Sequence, residues 1–369
     1  MLKVKFRFRS GHRDVYSPVP PWRLRTIFLN LTERCHFRCF YCHAHVEKPS
    51  ECMSFELVER VLDEAVAIGS PTILLTGGEP FLYARIEDVL RGCHDRRLAC
   101  KIATHGALIG PRQVEMLQRY GVRSLQISLD TLDPDLYASI KAADRKTHAR
   151  VLDGIRCCVA AHRLHVVVSS VAERRVLPGL PELMRFCQRE GLDTFTLYHL
   201  IPYGRAAGAA SDWLSEQEYI ETVDELMSVF SELPGVRSVD LSVPWAERST
   251  LLQKWVNRLD IRPVGCIAGK SSMTILADEE AVPCVCLEDR FFSCGNAWRQ
   301  TLRELWSAPA MRFYRGEASI PSCKGCDEYA FCLGGCRALA FLASQKADGP
   351  DPACRHWKPV PRDAEYAAV

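Results

Sequence analysis

Twelve of the chain's 18 cysteines are grouped in ways that point to metal chemistry. Three fall within eight residues, Cys35-His-Phe-Arg-Cys39-Phe-Tyr-Cys42, a C-x3-C-x2-C spacing. Near the other end stand Cys266, Cys284, Cys286 and Cys294, then Cys323-x2-Cys326-x5-Cys332-x3-Cys336, and finally Cys354. Three thiolates on a short loop can hold three irons of a cubane, leaving the fourth iron without a protein ligand and open to a substrate or cosubstrate. Zinc would also take three thiolates and a water, but catalytic zinc sites rarely draw three cysteines from so short a run. The other six, Cys52, Cys93, Cys100, Cys157, Cys158 and Cys187, sit mostly in apolar or helical surroundings and read as small buried hydrophobes.

Composition narrows the setting for this chemistry. With 369 residues, 47% apolar and 25% charged, the chain is an ordinary globular protein, too long to need disulfide staples. A formal charge of +2, from 47 basic and 45 acidic residues, gives no support to a charge-driven nucleic-acid or membrane-surface role. No stretch approaches the ~20 uninterrupted apolar residues of a membrane span. Met1 to Ser10 is basic and alternating, without the apolar core of a secretory signal, so a cytoplasmic location with reduced thiols is expected. That strip reads as a strand with a solvated charged face, an edge hairpin or a docking arm, the first being preferred.

The elements that must carry these residues alternate in type. Strands are expected at Thr26–Leu31, Thr72–Thr76, Lys101–Thr104, Ser124–Ser128, His165–Ser170 and Thr194–Leu200. Between and after them lie helices at Ser54–Ile68, Ile86–Asp95, Pro111–Tyr120, Pro134–Ile140, Arg150–His162 and Pro178–Arg189. The first has Ser54 as N-cap, Leu57, Val58, Val61, Leu62, Ala65 and Val66 at helical spacing, and Gly69 as its stop. Six βα units without a dinucleotide-binding glycine fingerprint predict an α/β fold, a partial (β/α)6 barrel whose chemistry lies at the carboxyl ends of its strands. A helix is expected over Ser215–Leu233. The domain division is then an N-terminal extension over 1–24, the barrel over 25–205, a helical linker over 206–260 and a cysteine-rich domain over 261–369.

Cys35 to Cys42 follow the first strand, and each later strand also ends in a distinctive segment. Thr76-Gly77-Gly78-Glu79-Pro80 follows the second, Thr104-His105-Gly106 the third, and Ile127-Ser128-Leu129-Asp130 the fourth. Each alone could be a plain turn. In order, they resemble the radical S-adenosylmethionine (SAM) enzymes: the cluster motif with Tyr41 before its last cysteine, the family's Gly-Gly-Glu-Pro, and a Ser-Leu-Asp segment. His105 departs from the family's usual asparagine. The resemblance covers about residues 27 to 205 and implies SAM contacts at Gly77, Gly78, Glu79, Pro80, Thr104, His105, Ser128 and Asp130. Glu79 would accept from the SAM ammonium, His105 donate to a ribose hydroxyl, and Lys141, chosen over Arg145, pair the SAM carboxylate.

The carboxyl-terminal cysteines, read alone, could be a zinc ribbon or knuckle, although they exceed one tetrahedral site. Together they resemble the SPASM extension of these enzymes, with one departure: the motif's glycine falls on Glu279, so a turn initiated by Asp278 must form there without glycine. The resemblance implies two auxiliary four-iron clusters, a distal one on Cys323, Cys326, Cys332 and Cys354 and a proximal one on Cys266, Cys284 and Cys336. Cys286 and Cys294 compete for the last proximal position, with Cys286 expected as the ligand unless that iron stays open.

By this resemblance SAM chelates the open iron of the Cys35/Cys39/Cys42 cluster and is cleaved by one electron to a 5'-deoxyadenosyl radical that takes hydrogen from an unactivated C–H bond. A flavodoxin or ferredoxin would supply the electron. The substrate expected first is a peptide or protein undergoing oxidative maturation, by crosslinking or side-chain oxidation. The alternative is a sugar or aminocyclitol-type intermediate that is dehydrogenated or epimerised, with a barrel cysteine as hydrogen donor. Only about 25 residues precede the first strand, which weighs against a fused leader-peptide-binding domain. A non-catalytic zinc or iron–sulfur protein is disfavoured by the ordered strand-end motifs.

Overall fold

The computed structural model describes residues 2–8, 22–43, 52–208, 214–233, 235–236, 238–243, 259–263, 266–287, 292–317, 320–326, 329–352 and 354. Its framework is a twelve-stranded sheet. The central strands are β2 (Thr26–Asn30), β3 (Thr72–Thr76), β4 (Cys100–Thr104), β5 (Ser124–Ser128), β6 (His165–Ala172) and β7 (Thr194–His199), parallel and neighbours in sequence order. Helices α1 (Phe55–Ala67), α2 (Ile86–Asp95), α3 (Pro111–Arg119), α4 (Pro134–Lys141), α5 (Arg145–Ala160) and α6 (Leu180–Arg189) join and follow them. The result is the expected α/β architecture of a partial barrel.

Local sequence explains the elements. Ser54 accepts from the Leu57 N–H at 3.3 Å and starts α1, whose Leu57, Val58, Val61, Leu62 and Ala65 are buried on one face. Alternate strand residues, Ile27 and Leu29, Ile73 and Leu75, Leu125 and Ile127, Val166 and Val168, are buried, each contributing about 1.5–3 kcal/mol. Helix α5 begins at Arg145 rather than Arg150, because Asp144 caps the Thr147 N–H. Among the six leftover cysteines, Cys93, Cys100, Cys158 and Cys187 are buried, but Cys52 is exposed, with its Sγ 3.0 Å from Thr32 Oγ1.

The sheet extends at both ends through pairings between segments distant in sequence. The span 206–260, expected as a helical linker, holds α7 (Glu216–Ser231) and also a strand, β8 (Ser238–Val243), parallel to β7. Residues 209–213, 234, 237 and 244–258 of that span lie outside the described residues. The basic N-terminal strip forms β1 (Leu2–Phe8), which is not an edge: it lies antiparallel between β8 and β9 (Leu259–Pro263). On the other side the cysteine-rich region supplies β10 (Ser272–Ile275), parallel to β2, then β11 (Glu280–Val282) and β12 (Gly295–Asn296). The sheet therefore runs on unbroken from the barrel into the segment expected as a separate domain. Beyond it come α8 (Leu302–Trp306), α9 (Pro309–Tyr314), α10 (Tyr329–Cys332) and α11 (Arg337–Ser344). Among the described residues no helix is long and apolar enough to cross a membrane.

The β10–β11 turn forms without glycine. Glu279 takes φ +74°, its N–H donates to the Leu276 carbonyl at 3.0 Å, and Asp278 Oδ1 accepts from the Glu280 N–H at 3.3 Å. A side chain in the left-handed region costs roughly 1–2 kcal/mol, part of which glycine would return as unfolded-chain entropy. Glu279→Gly is therefore expected to stabilise the protein by about 0.5–1 kcal/mol, read as a raised thermal midpoint.

Candidate functional site

The loop carrying Cys35, Cys39 and Cys42 leaves the carboxyl end of β2 and is held from three sides. The first contact is Gly77-Gly78. The Gly78 N–H donates to the Thr32 carbonyl at 2.6 Å and the Glu79 N–H to the Arg34 carbonyl at 2.8 Å, so the end of β3 runs along the start of the loop. A Cβ at Gly77 would overlap Thr32 O and Asn30 Oδ1, and one at Gly78 would overlap Arg34 O. These glycines therefore clear space for the cysteine loop.

The second contact is the end of α4. The Arg38 and Phe40 N–H groups donate to the carbonyls of Lys141 and Ile140, each at 3.1 Å. Beneath them lies a buried polar network. Lys141, 1% exposed, places Nζ 2.7 Å from Asp130 Oδ2 and donates to Ser128 Oγ at 2.7 Å and to the Tyr41 hydroxyl. Tyr41 donates to Asp130 Oδ2 at 2.6 Å, and the Val171 N–H donates to Asp130 Oδ1 at 3.0 Å. Burial works against the Lys141 charge, but Asp130 overcomes it and holds the ammonium well above its ordinary range. Lys141 and Asp130 are thus spent on each other.

The third contact was not foreseen from the sequence. Following β7, Arg205 donates from Nε to the Cys39 carbonyl at 2.8 Å and from its backbone N–H to the Cys42 carbonyl at 3.2 Å. Gly204, at φ +60°, lies so close that a Cβ would come 2.7 Å from Cys42 O. The one signal available was Pro202-Tyr-Gly-Arg, a glycine before a cation at a strand end.

Glu79 and His105 face inward. Glu79 is fully buried and accepts from Thr104 Oγ1 at 2.7 Å and from the N–H groups of His105 at 2.9 Å and Phe81 at 3.1 Å. Its carboxylate ties the end of β3 to the end of β4. The His105 ring stacks on Phe37 at 4.1 Å, and Nδ1 accepts from the Ala107 N–H at 3.1 Å, which puts the ring proton on Nε2. Nε2 lies 3.3 Å from Glu79 Oε2, but burial holds the imidazole neutral, with its pKa lowered to about 3, so this is not an ion pair. Burial raises Glu79 to about 7 against the hydrogen bonds it accepts. The two shifts oppose each other in pH: as pH rises, the raised carboxyl loses stability above its unfolded value, while the lowered imidazole gains stability up to its own.

The three thiols are half-buried and close enough to act on one another. Burial raises Cys35 to about 12 and Cys39 to about 11, with Lys141 and Arg205 pulling Cys39 back. Thiolates so placed need a cation, which fits an iron cluster. Among the described residues no three His, Cys, Asp or Glu side chains are grouped as tightly as one metal ion requires. Thiols on separate irons of a cubane stand farther apart than the ligands of a single ion.

The carboxyl-terminal thiols lie near one another and near a few buried polar groups, Lys270 being within the influence of both Cys266 and Cys332. Cys266, Cys284 and Cys336 all act on the buried Tyr314. Cys323, Cys326, Cys332 and Cys354 are linked to one another through Cys323 and Cys332. The structure separates the two competing cysteines. Cys286 belongs to the small core against which Cys266, Cys284 and Cys336 pack, whereas Cys294 belongs to the main core, its Sγ directed at the Phe292 carbonyl.

Residues 29–174 match the model of the radical SAM superfamily, and residues 266–327 match SPASM, an iron–sulfur cluster-binding domain. The AdoMet-dependent heme synthase of Nitratidesulfovibrio vulgaris is 25% identical, covering 94% of this chain and 95% of that protein. The PqqA peptide cyclase of Granulibacter bethesdensis is 25% identical, covering 89% and 86%. The fold is that of Streptococcus suis SuiB bound to S-adenosylmethionine, at TM-score 0.72 and 18% identity over 90% of this chain and 77% of that one. AdoMet-bound anSMEcpe superposes at 0.68 and 15% identity over 90% and 94%.

The Lys141–Asp130 pair yields a prediction. Lys141→Met leaves Asp130 buried and uncompensated, an expected loss of about 3–5 kcal/mol by denaturant titration, partly recovered by adding Asp130→Asn. Because Lys141 is raised in the folded state, the pair's contribution persists below the ordinary lysine range and is lost only as pH rises through the folded value.

Proposed function

Because the chain belongs to the radical SAM superfamily and carries a SPASM iron–sulfur domain, we propose that it oxidatively matures a peptide or protein substrate by abstracting hydrogen from an unactivated C–H bond. When bound, SAM and its four-iron partner supply the radical chemistry, and two auxiliary four-iron clusters supply acceptors for the electron released. Cys35, Cys39 and Cys42 hold the SAM-binding cluster, and a flavodoxin- or ferredoxin-type carrier delivers its electron. Cys323, Cys326, Cys332 and Cys354 hold one auxiliary cluster, and Cys266, Cys284, Cys286 and Cys336 the other.

The strand ends at Gly77, Gly78, Pro80, Thr104 and Ser128 line the SAM cradle. Glu79, Asp130 and Lys141 brace it from beneath, their charged groups held by neighbouring strand ends and by each other, while His105, whose buried Nε2–H has no hydrogen-bond partner among the described residues, keeps a donor for a SAM ribose hydroxyl. The observation that carries the reading is the clamped cysteine loop: three thiols at the carboxyl edge of a parallel sheet, held by the ends of β3, α4 and the segment after β7. The peptide substrate draws on the PqqA peptide cyclase relative. A second reading, in which the substrate is a heme precursor, is favoured by the heme synthase relative, which matches along 94% of this chain.

Anaerobically reconstituted protein is expected to carry about twelve irons, four for each cluster, and to release 5'-deoxyadenosine from SAM under a strong reductant. Cys35→Ala should stop that release while keeping about two thirds of the iron; Cys286→Ala should lower auxiliary iron and Cys294→Ala should not. Bound zinc with SAM left intact would contradict the reading. Loss of hydrogen from a candidate peptide by mass spectrometry supports the peptide substrate, and consumption of a heme precursor instead selects the second reading.

A further inference from the structure

The cysteine-rich region buries a guanidinium with no ion pair to a carboxylate among the described residues. Arg337 opens α11 directly after Cys336 and is only 2% exposed. Its Nη1 donates to the Gly349 carbonyl at 2.7 Å and the Ala347 carbonyl at 3.3 Å. Nε and Nη2 have no hydrogen-bond partner among the described residues. A guanidinium keeps its charge at any ordinary pH, and burying it without a partner is far more costly than burying a neutral group.

The backbone around it is shaped to admit it. In the Cys332-Leu-Gly-Gly-Cys336 turn, Gly334 has φ +83°, and a Cβ there would strike Ile320 Cδ1 at 2.2 Å and come 3.2 Å from both Cζ and Nη2 of Arg337. Gly335, at φ +76°, would strike Asp351 if it carried a Cβ, and Asp351 Oδ2 accepts the Cys336 N–H at 2.6 Å. The two glycines thus leave room for the guanidinium and for a carboxylate bracing Cys336.

Arg337 directly follows Cys336 at the start of α11. Its charge acts on Cys323, and it acts on Tyr314, whose buried hydroxyl also lacks a hydrogen-bond partner among the described residues and lies within the influence of Cys266, Cys284 and Cys336. We propose that Arg337 is a positioning residue for the auxiliary clusters, its buried charge and its Nε–Nη2 donor edge offsetting the negative charge that thiolate-ligated iron brings to this region. This rests on the reading above that those cysteines hold clusters. Net charge and hydrogen bonds to sulfur set the potentials of such clusters, so Arg337 holds the auxiliary couples at less negative potential.

The test is a redox titration of the reconstituted full chain, followed by electron paramagnetic resonance with iron and sulfide counted in parallel. Arg337→Gln is expected to keep its iron and shift an auxiliary couple to more negative potential. Arg337→Lys should change the auxiliary spectrum while staying nearer the wild-type potential. Wild-type potentials in Arg337→Gln at full iron would overturn the proposal. If Arg337→Gln fails to accumulate, Arg337→Lys decides: an unchanged spectrum at full iron overturns it, an altered one supports it. A wild-type protein without auxiliary iron would instead overturn the cluster assignment, and the Arg337 proposal with it.

Discussion

The buried pair between Lys141 and Asp130 is the constraint on which the cysteine loop depends. An ion pair this deep returns little net stability, because desolvating both charges consumes most of their attraction. What it provides is position. Lys141 ends α4, and the Lys141 and Ile140 carbonyls receive the N–H groups of Arg38 and Phe40. Tyr41 bridges the pair from within the loop itself. Moving the ammonium would therefore move the turn that spaces Cys39 from Cys42.

The same logic recurs wherever this chain buries charge. Thiols driven toward the neutral form by burial accumulate at sites where a cationic cluster would reverse that preference. Near them stand cations whose geometry is fixed by backbone carbonyls: Arg205 on Cys39, and Arg337 on Gly349 and Ala347. Glu79 is held by three donors from neighbouring strand ends, which lets a carboxylate act as an internal tie between β3 and β4.

The barrel was legible in the sequence because it is built from local signals: Ser54 as a cap, Gly69 as a stop, and alternating buried residues along each strand. The glycine-free turn around Glu279 was legible too, since a motif glycine was missing where a turn was required, although its left-handed backbone was not. The pairings of β1 with β8 and β9, and of β10 with β2, were not, because nothing in either segment encodes its distant partner. Side-chain direction was the other gap. His105 lies just after β4 and Lys141 at the end of α4, but whether a polar group there faces a ligand or the interior depends on neighbours such as Phe37 and Asp130. Arg205 and Arg337 gave only faint signals, a cation after a glycine and a cation opening an apolar helix.

The most direct measurement is the electron paramagnetic resonance spectrum of the reduced, reconstituted protein before and after SAM is added. A cluster held by only Cys35, Cys39 and Cys42 keeps one iron open, so one component of the spectrum is expected to change on SAM addition while the auxiliary components stay as they were. A spectrum indifferent to SAM, in protein whose iron is fully incorporated, would contradict the assignment of that loop.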